Sequence, residues 1–257
     1  MSPHIESVER YLLRIVPKLA AEWQGAREEE IARIQALTPH PLPQFYVWFL
    51  RRMGRSMGPM AFPLVDFSVN AILAAYADEE EYPIDPLWIE EGYLMIGYNR
   101  DNVMPLHLWY DLNERTPEDA LVVHGDATVA EATRDFSNFA ELLVWGKAGK
   151  FRVYTRAQAC DGSFKDDAYE PFVCLDPVMK QLGFHQPVAM QGRCRVYERE
   201  DATMICKGSL DDERDKFRFY RLGAPDEATI RSILGTIARE TRLLVKLDAW
   251  EPPLATP

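Results

Sequence analysis

The N-terminal residues alternate apolar and polar positions with a helical period. Ile5, Val8, Leu12, Ile15 and Val16 share one face until Pro17, which has no amide hydrogen and must end, kink or restart the helix. Glu28, Glu29 and Glu30 precede Ile31, Ile34 and Leu37, placing carboxylates in a first turn where the helix dipole favours them. The breaker-rich connection Thr38-Pro39-His40-Pro41-Leu42-Pro43 follows. Pro43 suits the first turn of a helix over Gln44–Met53 and Gly54 the position just past its end. Phe45, Trp48, Phe49 and Met53 form the apolar stripe of that helix.

Val65-Asp66-Phe67 predicts a short strand, and Ser68 an N-cap for a helix carrying Val69, Ile72, Leu73 and Tyr76. Beyond the acidic run Asp78-Glu79-Glu80-Glu81, Pro83 and Pro86 hold the chain out of regular structure. Tyr93–Tyr98, Pro105–Asp111 and Ala120–Val123 predict three strands separated by polar turns. Asp135 opens a predicted helix whose Phe136, Phe139, Leu142 and Leu143 face one way, and Gly146-Lys147-Ala148-Gly149-Lys150 reads as a boundary.

After that boundary Phe151–Tyr154 predicts a strand, and Asp176–Leu182 a short helix closed by Gly183. Arg193–Tyr197 and Thr203–Cys206 predict a hairpin around the polar Glu198–Asp201 turn, and Phe217–Leu222 a third strand. Pro225-Asp226-Glu227 begins the clearest helix, with Ile230, Ile233, Leu234 and Ile237 at i, i+3, i+4 and i+7. Leu243–Leu247 closes with a strand, and the Pro-rich tail Pro252–Pro257 is expected to fray. Helices and strands in mixed order predict an α+β fold, with one domain over residues 1–148 and an α+β extension over residues 149–257.

Composition narrows the class. The 257 residues are 47% hydrophobic and 27% charged, which excludes collagen-like, disordered and disulfide-scaffold chains. The longest apolar run is Ala71–Ala77, far short of the ~20 residues of a membrane span. The N-terminus lacks a basic start followed by an apolar stretch, so no signal peptide is expected. Cys160, Cys174, Cys194 and Cys206 lie far apart with no C-x-x-C pair, a pattern of reduced cytoplasmic thiols. Residues 1–148 carry 12 Lys and Arg against 23 Asp and Glu, whereas residues 149–257 carry 17 of each. The whole acidic excess therefore belongs to the first part, which disfavours nucleic acid and attracts basic partners.

Catalytic signatures are missing: there is no G-x-S-x-G, H-E-x-x-H, G-x-x-x-x-G-K or G-x-G-x-x-G. Lys207-Gly208-Ser209 resembles a phosphate loop only superficially. His107 reads as a hydrogen-bonded core or sheet-face histidine and His124 as a turn histidine. A zinc site would require His185, Cys194 and Cys206 to converge. Asp161-Gly162-Ser163-Phe164-Lys165-Asp166-Asp167 resembles half a calcium loop but lacks its alternating ligands, so a solvated loop is expected. No catalytic residue, metal or cofactor is assigned. The acidic and aromatic segment 78–101 is the candidate partner-binding surface, comprising Asp78, Glu79, Glu80, Glu81, Tyr82, Asp85, Trp88, Glu90, Glu91 and Asp101. Carboxylates speed encounter with a basic protein and a buried aromatic anchors it; the alternative is a solvated loop whose Trp88 packs inward.

Four motifs in order resemble the SUKH superfamily, the Smi/Knr-type proteins. Leu42-Pro43 before the helix that ends at Gly54 is similar to the family's opening. Val65-Asp66-Phe67-Ser68 resembles its strand-into-helix step, and Leu94-Met95-Ile96-Gly97 its apolar strand ending in glycine. Asp135-Phe136-Ser137-Asn138-Phe139-Ala140-Glu141-Leu142 resembles its closing helix. The resemblance covers residues 28–145. The chain departs from the family's Asn-Gly-Gly after the Leu-Pro helix and replaces its glycine-rich turn with Tyr98-Asn99-Arg100-Asp101-Asn102. The resemblance implies a binding module: a cytoplasmic immunity protein that neutralises a cognate secreted toxin, such as a nuclease or deaminase, of a polymorphic or type VI secretion system. A scaffold or regulator of the same fold, and a hydrolase using Asp161, Asp166 or His185, are the alternatives.

Overall fold

The structure is a computed structural model that describes residues 2–78, 83–101, 103–128, 131–168, 170–190, 192–210 and 216–252. The described residues are α+β, with two antiparallel five-stranded sheets among them. The chain divides into two compact units. The first holds the residues up to Glu9 together with Val16–Ala140, and the second holds Arg10–Ile15 together with Glu141 onward. The division thus falls between Ala140 and Glu141 rather than after residue 148.

Helix α1 (Pro3–Ile15) is divided between the two units after Glu9. In the first unit, helices α2 (Leu19–Glu22), α3 (Glu28–Gln35) and α4 (Gln44–Met53) precede the sheet. Lys18, at φ 60°, makes the left-handed turn that restarts the helix after Pro17. Glu30 reaches back to the start of α3, where its carboxylate accepts from the Arg27 amide at 2.7 Å. Helix α4 buries Phe45, Trp48, Phe49 and Met53, the stripe expected from its sequence, and Tyr46 and Leu50 besides.

Strands β1 (Val65–Asp66), β2 (Tyr93–Asn99), β3 (His107–Arg115), β4 (Ala120–Gly125) and β5 (Thr133–Phe136) form a meander in which each strand pairs with its chain neighbour. Ser68 caps α5 (Val69–Ala77) as predicted, its hydroxyl accepting from the Ala71 amide at 3.2 Å. The short helix α6 (Pro86–Glu90) precedes β2. Phe139, at the start of α7 (Phe139–Ala148), centres the aromatic core: its ring centroid lies 4.9 Å from Phe49, 5.4 Å from Phe67 and 5.9 Å from Phe45. The expected helical start at Asp135 is instead strand β5, and the helix begins four residues later, at Phe139.

In the second unit the expected boundary at 146–150 is continuous helix. Helix α7 runs into a π-helical turn, Gly149–Val153, where a strand over Phe151–Tyr154 was expected. Strands β6 (Gln158–Lys165), β7 (Cys194–Glu198), β8 (Thr203–Lys207), β9 (Phe217–Ala224) and β10 (Leu244–Glu251) take the order β10-β6-β9-β8-β7. The expected hairpin and the last two strands are present. Helices α8 (Pro171–Gln181) and α9 (Glu227–Glu240) bury Leu175, Val178, Met179, Ile230, Ile233 and Ile237 in one core with Phe164, Tyr220 and Leu222. Asp226 caps α9, accepting from the Thr229 amide at 2.7 Å.

The stretch expected as a solvated loop, residues 161–167, is the clearest correction. Asp161–Lys165 belongs to β6, a central strand, and its polar residues are matched across the sheet. Asp161 pairs with Arg221 on the facing β9 residue at 3.2 Å. Asp166 is 1% exposed and accepts from Nε and Nη2 of the Arg242 guanidinium at 2.8 and 2.9 Å. Gly162 admits the Tyr220 hydroxyl and the Lys246 carbonyl, either of which a Cβ would strike at 2.4 Å or less.

Candidate functional site: the α5–α6 and β2–β3 rim

The segment singled out in the sequence splits into three roles. Trp88 is fully buried, which corrects its assignment as a surface anchor. Its indole stacks on Trp109, meets Tyr93 edge-on and donates from Nε1 to the Asp126 carbonyl at 2.9 Å. A side chain sealed in a core presents no area to a partner. Glu90 and Glu91 are exposed, and so are the neighbours of Trp88, Leu87 at 48% and Ile89 at 41%. Glu79, Glu80, Glu81 and Tyr82 lie outside the described residues, as does the tail beyond Pro252.

Asp85 and Asp101 organise backbone. The Asp85 carboxylate accepts from the Leu87 amide at 2.9 Å and starts α6, while its own amide donates to the Ala127 carbonyl at 2.7 Å. Asp101 accepts from the amides of Val103 at 2.8 Å and Met104 at 3.3 Å, a side-chain turn of the kind Asp favours. Asn99 braces the same turn, accepting from the Asp101 amide and donating to the Leu106 carbonyl. The result holds Val103 at 88% and Met104 at 62% exposure. Two apolar side chains inside a polar turn were the signal in the sequence that this surface extends past residue 101.

At the base of the turn Arg100 donates to the Asp66 carboxylate, and its amide donates to the carbonyl of Leu64, itself 55% exposed. Burial alone would raise the Asp66 carboxyl, but hydrogen bonds from Ser68 and the Arg100 guanidinium hold it below the usual carboxylate range. Asp66, Asp78 and Arg100 line a cleft of about 450 Å³ together with Tyr98, His107 and the α5 alanines. His107 is the hydrogen-bonded sheet histidine expected from its strand, stacked on Tyr98 with centroids 4.8 Å apart. Burial holds its imidazole below its ordinary pKa.

The other candidates in the sequence are not assembled. His124 ends β4 with Nδ1 3.9 Å from Asp135, and the His185 backbone bridges that of Glu198. Among the described residues no three His, Cys, Asp or Glu side chains form a metal cluster, so His185, Cys194 and Cys206 do not converge. Gly208 of the Lys207-Gly208-Ser209 turn packs against the Arg218 guanidinium. Among the described residues no helix is long and apolar enough to cross a membrane. No protein-family model and no curated protein matches this chain.

Proposed function

We propose that this chain is a cytoplasmic immunity protein that binds a basic secreted toxin and blocks it stoichiometrically. The observation that carries this reading is the β2–β3 turn, where Asp101 and Asn99 fix the backbone so that Val103 and Met104 stand out of the protein. Ordering a turn to expose two apolar side chains costs conformational entropy and hydrophobic burial; a partner that covers them repays both. Leu64, Leu87 and Ile89 add apolar area, and Glu90, Glu91 and Asp78 supply the acidic rim that steers a basic protein. The SUKH-like order of motifs supports the same reading.

The test is an affinity capture with the tagged full chain from its native host, at low and at high salt, with bound proteins identified by mass spectrometry. The expected result is one stoichiometric, basic partner that is toxic when expressed alone and harmless with this chain. Its capture is lost in the Val103→Asp/Met104→Asp variant. Several housekeeping partners and no toxin would overturn the reading in favour of a scaffold.

A further inference from the structure

The two edges of the second sheet are finished differently. At one edge, β7 buries Cys194, Val196, Tyr197 and Glu198, and on its outer side the His185 and Glu198 backbones exchange two hydrogen bonds of 2.9 Å. At the other edge, β10 pairs with β6. Among the described residues no backbone hydrogen bond joins Leu244–Glu251 to any further segment. An edge strand leaves alternate N–H and C=O groups pointing outward, a template for another strand.

The core is also left open along β10. Val245, Leu247 and Trp250 stand opposite Phe164, Gly162 and Cys160 of β6 and pack on the core, yet all three are only half-buried. Leu244, on the other face, is 62% exposed. A strand laid against this edge would cover apolar surface as well as satisfy backbone groups.

The charges select the strand. Lys246 and Asp248 flank Leu247 and meet at 2.6 Å on the face away from the core. A lysine on an open edge ordinarily opposes pairing with another copy, because it sets like charges together. Here a two-fold axis at Leu247 sets Lys246 against Asp248 of the second copy, and Asp248 against its Lys246. The ladder shifts register between Leu247 and Ala249. Past that extra residue Val245 meets Trp250 of the second copy, while the two Leu247 side chains meet on the axis. Each core-facing side chain thereby finds a core-facing partner. Residues 149–257 balance 17 cations with 17 acids, so copies approach here without the repulsion of the acidic first part.

We propose that the chain forms a two-fold dimer through antiparallel pairing of β10 with β10 of a second copy, which joins the two second-unit sheets into one. The dimer is independent of the toxin reading, whose residues belong to the first unit.

Sedimentation equilibrium of the full chain at micromolar concentrations should show a monomer–dimer equilibrium, and the β10 amides should exchange with deuterium more slowly as dimer forms. Lys246→Asp and Asp248→Lys each place like charges across the axis and should weaken the dimer about tenfold or more. Mixing the two variants restores opposite charges at both positions, so a 1:1 heterodimer should form more tightly than either variant pairs with itself. A merely local role for the Lys246–Asp248 pair gains nothing from mixing. A monomer throughout, a dimer that neither swap weakens, variants that stay apart on mixing, or dimers whose β10 amides exchange as fast as the monomer's would each overturn the proposal.

Discussion

Trp88 lies flat on Trp109, with ring centroids 4.3 Å apart and planes 4° from parallel. Helix α6 therefore divides its apolar residues, sending Trp88 inward and leaving Leu87 and Ile89 in solvent. Trp88→Ala should cost about 3–5 kcal/mol, the range for a large buried aromatic, read from the urea midpoint. Leu87→Ser/Ile89→Ser should stay within about 0.5 kcal/mol per site of the parent yet weaken partner capture. A stable Trp88→Ala protein that loses capture would reverse these roles.

Gly125 makes that stack possible. A Cβ there would lie 2.6 Å from the Glu131 carbonyl and 2.7 Å from the Trp88 ring. Gly125→Ala should destabilise the first unit by about 1–3 kcal/mol through overpacking and shift tryptophan fluorescence, because the indole must give way.

Asp119 is a buried carboxyl between β3, β4 and the start of α7. It accepts from the Tyr110 hydroxyl at 2.8 Å and from the amides of Ala120 and Ala140 at 2.9 and 3.0 Å. Burial pushes it up to about 7, against hydrogen bonds that favour the charged form. Its folded pKa thus lies above the unfolded value of about 3.9, so its contribution is complete below that value and is lost as pH rises toward about 7. Asp119→Asn should flatten this slope in stability measured between those two pH values. It should also cost about 1–3 kcal/mol, because one of the three donors loses its acceptor.

Glu198, 1% exposed, accepts from Tyr11 at 3.1 Å and Arg152 at 3.0 Å and pairs with Arg14. Tyr11→Phe should cost about 0.5–1.5 kcal/mol, a single neutral-donor bond. Glu198→Ala should cost more, about 3 kcal/mol, since the buried Tyr11 hydroxyl and the Arg152 guanidinium both lose their acceptor. Thermal unfolding of the two variants side by side tests the order.

Where side-chain period and local chemistry agreed, the elements were legible: the α4 stripe, the Ser68 and Asp226 caps, and the β7–β8 hairpin. Strand β6 was not. Asp161, Gly162 and Ser163 carry weak strand propensity, and they are held in a strand by partners distant in the chain, Arg221, Tyr220 and Lys246. Asp166, read as a solvated acid, is buried because Arg242 meets it. Trp88 was drawn outward by the acids around it, yet the one-turn helix after Pro86 points it the other way. The apolar pair Val103 and Met104 was visible in sequence, but its prominence depends on the Asx turn at Asp101, which only the folded backbone displays.

The two sheets differ in how soon their strands can find one another. In the first, every strand pairs with the one just before or after it in the chain, so a nascent polypeptide can close it hairpin by hairpin as synthesis proceeds. In the second, among the described residues, β6 pairs with β9 and β10, the last two strands to emerge. Until then a hydrogen-bonding strand bearing Phe164 has both edges open. The interval between translation of β6 and arrival of β10 is accordingly when this chain is most exposed to mispairing, and when a chaperone has the most to cover.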